Sequence, residues 1–141
     1  SKFGYDMRYF NTFGGNTVAM AAANATLEVI QSESLMTNAN KVGKIMLSGL
    51  RDLMQEDERI GDVRGTGLYL GIEMVRDRET REPDSPLALA LVNEMRRRRV
   101  LISATAYNAN VLKVRPPLIF TAENADQFLT GLKAALKTVQ A

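Results

Sequence analysis

Few residues in this chain can carry chemistry, and the densest group is Val111-Leu112-Lys113-Val114-Arg115-Pro116-Pro117. Lys113 and Arg115 stand two apart in a run of strand-forming residues. A period of two places them on one face, with Leu112 and Val114 on the other. Two cations facing one way repel unless an anion or a carboxylate lies between them. An anion site and a solvated strand face are therefore both open, and the diproline that follows ends the strand and holds that face in place. A second candidate is Asn11-Thr12-Phe13-Gly14-Gly15-Asn16. A Thr hydroxyl and backbone N–H groups at a glycine turn opening a helix can hold a phosphate, because unpaired donors and the helix dipole point at the anion. The same residues also read as a plain N-cap turn with Asn16 as the cap.

Two further features carry less. Arg96 to Arg99 form the strongest charge run, able to grip an acidic group but equally suited to the negative end of a helix dipole. With a net charge of only +2 and no RNA-binding signature, the dipole role is the expected one. Gly65-Thr66-Gly67 is followed by a strand pattern where a dinucleotide fingerprint needs a helix, position 70 is Leu where it needs a third glycine, and no Walker sequence occurs.

What is missing excludes more. The 141 residues contain no Cys and no His, which removes thiol nucleophiles, imidazole bases, Ser-His-Asp triads and the usual zinc sites; no metal site is expected. Carboxylates, hydroxyls, Lys, Arg and the backbone remain, so difficult chemistry would fall to a cofactor. Apolar residues at 45% and charged residues at 24% fit one globular domain of ordinary size. The near-neutral charge points to neither nucleic acid nor membrane as a partner. No apolar run approaches the roughly 18 residues needed to span a bilayer, and the N-terminus has no signal-peptide pattern. The cytoplasm is the expected location. The chain begins with Ser1, not Met, and reads as cut from something longer.

The elements that must position these groups follow from periodicity. After an opening with Phe3, Tyr5, Tyr9, Phe10 and Phe13, an Ala-rich stretch from Thr17 to about Ile30 predicts a helix apolar nearly all round, buried on more than one side. Leu35, Ala39, Val42, Met46, Leu50 and Leu53 predict an amphipathic helix from about Glu33 to Asp57, with Gly43 and Gly49 as packing notches. Ile60-Gly61-Asp62 closes that segment. Leu68, Leu70, Ile72 and Met74 alternate with Tyr69, Gly71, Glu73 and Val75, predicting one strand over 63–75 with a bulge or close approach near its glycines. Arg76 to Asp84 reads as a solvated loop. Ser85 as cap and Pro86 at the first position open a third helix with Leu87, Leu91, Val92 and Met95 on its apolar face. Val100-Leu101-Ile102 and 111–115 read as short strands, and Thr121 caps a last helix carrying Ala125, Phe128, Leu129, Leu132, Leu136 and Val139. The sum is an α+β two-layer sandwich, a small mostly antiparallel sheet with helices on one face, plus an N-terminal helical segment.

Taken together, Phe10 to Asn16, Ile60 to Leu68 with Gly71-Ile72-Glu73, and Asn110 to Leu118 followed by Thr121 resemble the C-terminal part of class III pyridoxal-phosphate aminotransferases, the ornithine/4-aminobutyrate type. The stretches occur in the family's order and spacing. The resemblance implies the C-terminal domain of a fold-type I enzyme, with residues 1–32 ending the large cofactor-binding domain and 33–141 forming the small domain that closes over the active site. It implies pyridoxal 5'-phosphate as cofactor, a homodimer, and a small-molecule amine or amino acid as substrate.

By position, Thr12, with Asn11 beside it, would bond the cofactor phosphate of the partner subunit. The family's substrate-carboxylate arginine lies three residues ahead of the first proline, where this chain has Lys113, while Arg115 immediately precedes Pro116. Lys lacks the bidentate fork of Arg. A Lys/Arg pair suits carboxylate or phosphate, and the Asn-Val-Leu-Lys-Val-Arg-Pro-Pro form resembles the family branch containing phospho-lyases, which eliminate phosphate with the same cofactor. No Lys here, Lys2 included, sits in the family's Schiff-base context. No catalytic residue is expected in this chain, which the resemblance makes an inactive fragment of a transaminase or of a related lyase. The alternative is a freestanding module that dimerises or binds through its Ala-rich helix.

Overall fold

A computed structural model describes residues 10–139. Lys2, Phe3, Tyr5 and Tyr9 lie outside that range. The chain divides into two compact units between Leu35 and Met36.

In the first unit, α1 (Thr17–Ser32) is opened by Asn16, whose side chain accepts from the Ala19 N–H at 2.9 Å. None of its residues is buried, and Val18, Met20, Leu27 and Val29 are exposed. Burial on several sides is thus not met among the described residues. One helix and its leading turn provide no facing layer.

The second unit is the expected sandwich. Helix α2 (Leu35–Glu56) leads into strands β1 (Ile60–Thr66) and β2 (Tyr69–Asp77), the short β3 (Glu82–Pro83), helix α3 (Ser85–Arg97), strands β4 (Ser103–Thr105) and β5 (Val111–Val114), and helix α4 (Ala122–Thr138). The sheet runs β1-β2-β5-β4, with β3 on β2, and every pairing is antiparallel. One face joins the core. Val63, Leu70, Ile72, Met74, Leu112 and Val114 pack with Val42, Met46 and Leu50 of α2, Leu87, Leu91 and Met95 of α3, and Phe128 and Leu132 of α4. The periodic apolar positions expected of α2 are all buried.

Five expectations need correction. The single strand over 63–75 is a hairpin: Thr66 pairs with Tyr69 across a two-residue turn in which Gly67 has φ 52°. Ile60-Gly61-Asp62, read as closing the helix, begins its first strand. The strand at 100–102 lies three residues later, since Ser103–Thr105 hold the register against β5 while Leu101 is 84% exposed. The cap of α3 is Asp84, accepting from the Leu87 N–H at 2.9 Å, so Ser85 is already helical and its hydroxyl donates to the Asn108 carbonyl. The loop from Arg76 to Asp84 is not merely solvated. Half-buried Arg78 donates from Nη2 to the carbonyls of Met54, Asp57 and Ile60 at 2.6, 3.0 and 3.1 Å, closing the end of α2.

Both glycine notches of α2 are used. A Cβ on Gly43 would collide with the Gly67 backbone, so the helix touches the hairpin turn directly, whereas Gly49 faces the Leu129 side chain. Of the arginine run, Arg97 and Arg98 each pair with the buried Glu94 at 3.0 Å, and Arg98 also reaches the Thr138 hydroxyl.

Candidate functional site: a cationic pocket on the open sheet face

The sheet face opposite the helices holds the groups of interest. Arg64 pairs with Gly71 across β1 and β2, Gly71 with Lys113 across β2 and β5, and Lys113 with Ser103 across β5 and β4. Directly opposed residues in antiparallel strands share a face. The two cations therefore flank a residue without a side chain. Above that gap lies a pocket of about 430 Å³ bordered by Arg64, Tyr69, Gly71, Thr105, Val111 and Lys113. Gly71 keeps the space open, for a Cβ there would stand 3.3 Å from Val111 Cγ1 and 4.0 Å from Arg64 Cγ.

The two cations differ in their partners. Lys113 is half-buried, and its side chain makes no hydrogen bond or ion pair among the described residues. An ammonium partly removed from water with no counter-charge is an anion acceptor. Arg64 donates from Nη1 to Asp62 Oδ2 at 2.5 Å and Glu73 Oε2 at 2.6 Å. Those hydrogen bonds, Asp62 first and Glu73 second, raise its pKa further above its ordinary value. Asn110, buried where β5 begins, donates to the Met74 carbonyl at 3.0 Å while the Met74 N–H donates back to the Asn110 carbonyl at 2.8 Å. That exchange fixes the start of the strand that presents Lys113. Beyond the diproline, Asn38 of α2 donates to the carbonyls of Leu118 and Phe120 at 2.8 and 3.0 Å.

Lys113 and Arg115 do not enter the site as a pair. The strand ends at Val114, and Arg115 is exposed beyond it and does not border the pocket. Lys113's neighbour across the gap is Arg64. Sequence periodicity sees only one strand, whereas this neighbour comes from cross-strand register. Gly71 within an alternating run was the available signal of a close approach on that face.

The turn before α1 contains the other expected residues. Asn11 Oδ1 accepts from the Phe13 N–H at 3.2 Å, and Asn16 donates to the Phe13 carbonyl at 2.9 Å. Asn11 packs so tightly over Gly14 that a Cβ there would overlap it, while Gly15 faces open space. Thr12 is exposed. The turn is thus a preset loop at a helix N-terminus that leaves a threonine hydroxyl accessible.

Residues 7–136 match the profile of the aminotransferase class-III family, and the chain belongs to that family. A curated relative, an alanine–glyoxylate aminotransferase 2-like protein of Drosophila melanogaster, is 48% identical over 93% of this chain and 27% of its own length. A solved phospholyase from Arthrobacter in complex with phosphoethanolamine superposes with a TM-score of 0.89 at 40% identity, over 99% of this chain and 33% of that one. An amine transaminase from an uncultivated Pseudomonas species, solved in its PLP-bound form, gives a TM-score of 0.85 at 32% identity, over 98% of this chain and 31% of that one. The chain thus spans about a third or less of the relatives it matches.

Proposed function

We propose that this chain is the C-terminal portion of a longer pyridoxal-phosphate-dependent enzyme that transfers an amino group from a small-molecule amine or amino acid to a keto acid. Residues 1–32 would end its large cofactor-binding domain, and 33–141 would form the small domain over the active site. Half-buried Lys113, whose side chain has no partner among the described residues, carries this reading: it is the charge that would seat the anionic group of a substrate, while Arg115, exposed beyond the strand end and outside the pocket, would add only to the more distant positive field. Pyridoxal phosphate would supply the electron sink. Its phosphate suits the accessible Thr12 hydroxyl and the preset turn from Asn11 to Asn16, and in a homodimer that turn would serve the partner subunit. This chain's share of the chemistry is then binding and orientation, with the reactive lysine located elsewhere in the enzyme.

One observation favours a second reading, phosphate elimination. One cation of the pocket is Lys113, where the family's carboxylate-binding arginine is expected, and a lysine serves phosphate as a point charge without the planar fork. Its similarity to the phosphoethanolamine-bound phospholyase supports the same alternative. Assaying the intact enzyme for keto-acid-dependent amine transfer against phosphate release separates the two.

The cofactor assignment is tested by Thr12→Ala in the intact enzyme. Losing a hydrogen bond to a dianion weakens cofactor retention about tenfold, read by dialysis and cofactor absorbance. Unchanged retention would contradict the role given to Thr12.

A further inference from the structure

We propose that Arg64 is the second jaw of an oxyanion clamp, closing with Lys113 over Gly71 on the carboxylate or phosphate of a small molecule. The proposal rests on the reading of Lys113 as an anion site but moves its partner from Arg115, on the same strand, to Arg64, two strands away.

The hydrogen bonding of Arg64 carries the argument. Both of its carboxylate partners are taken by one nitrogen, Nη1. Nε and Nη2 have no partner among the described residues, so three N–H donors along that edge are unspent. Asp62 and Glu73 therefore act as an anchor. They hold the guanidinium by one corner, reduce its rotamer freedom and leave a planar edge of the kind that matches two oxygens of an oxyanion. Arg64 and Lys113 both border the pocket, and the residue between them in the row is a glycine.

Charge in the neighbourhood agrees. An adjoining cavity is bordered by Asp62, Arg64, Glu73 and Arg81. Counted with Lys113, three cations face two carboxylates, and one positive charge is in excess before any ligand arrives. Tyr69 and Thr105 on the rim add hydroxyls able to donate to the same anion.

The test is a titration of the 141-residue chain with inorganic phosphate and, separately, with acetate, following backbone amide and Arg Nε–H resonances. The clamp predicts saturable shifts at Gly71 and at Arg64 Nε, and a loss of affinity of about tenfold in either Arg64→Gln or Lys113→Gln. Tighter binding of phosphate than acetate assigns the pocket to a phosphate-bearing ligand and the reverse to a carboxylate; both support the clamp. The dispersed spectrum of each variant verifies its fold in the same experiment. Should R64Q bind as the wild type does while K113Q loses affinity, Arg64 has no part in the site and the reading of Lys113 stands. Shifts confined to Arg96–Arg99, or unaltered by both substitutions, would overturn the clamp and the Lys113 site together.

Discussion

At the scale of single residues, cations that hold the fold stand apart from Lys113, whose side chain has no partner among the described residues. Arg59 pairs with Asp57 at 2.7 Å and donates to the carbonyls of Leu136 and Val139, both at 2.7 Å, so it is committed to the end of α4. The side-chain hydrogen bond from Arg59 is the main reason the Asp57 carboxyl lies below its ordinary value of 3.8, with burial opposing it. The unfolded chain then takes up the proton first as pH falls. The stabilisation from this pair is complete above the ordinary value and drains away as pH drops through the lower folded one. Asp57→Asn should therefore cost stability at neutral pH by urea denaturation, and the gap to wild type should narrow as pH falls below the ordinary carboxylate value. A gap that stays constant with pH would remove the charge from the explanation. Lys113 has no such commitment. Its place on a strand before a diproline was legible in the sequence, because period-2 patterning survives any tertiary context. Arg64 as its neighbour was not, since nothing local encodes which strand lies two positions across a sheet.

At the scale of elements, helix ends and strand contacts decide what periodicity could reveal. The apolar faces of α2, α3 and α4 were readable because each repeats every three to four residues over several turns. The hairpin was hidden because Leu68, buried in its turn, continues the alternation of β2 and masks the break between the strands. The end of α2 was equally hidden: the helix has no basic residue in its last turn and receives Arg78 from a loop that reads as solvent-facing. Arg78→Ala leaves the carbonyls of Met54, Asp57 and Ile60 without this donor and should lower stability by about 2 kcal/mol, measured by the denaturation midpoint. Gly43→Ala reverses the usual helix rule. The intrinsic gain is about 1 kcal/mol, but the new methyl meets the Gly67 backbone, and overpacking of that kind costs about 1–3 kcal/mol. The variant should melt lower than wild type. A rise in its melting temperature would show that α2 does not rest on the hairpin turn.

At the scale of the whole molecule, the family membership and the sandwich agree, and the open sheet face is where the sandwich keeps its unspent charge. The family was legible because its motifs fall in turns and strand ends, at Asn11 to Asn16, Ile60 to Leu68 and Asn110 to Leu118, where residue types are dictated by backbone geometry and contacts. If the reactive lysine lies elsewhere in the enzyme, adding pyridoxal phosphate to this chain gives no stoichiometric absorbance band that depends on one lysine. A band abolished by a single Lys substitution would place the reactive amine here instead. The pocket's role is tested most directly by steady-state kinetics of Lys113→Gln in the intact enzyme, comparing an amine that bears a carboxylate or phosphate with an uncharged amine. An anion-seating Lys113 predicts that kcat/KM falls about tenfold more for the charged amine, chiefly through KM. Equal losses on both amines, or none on either, would contradict it.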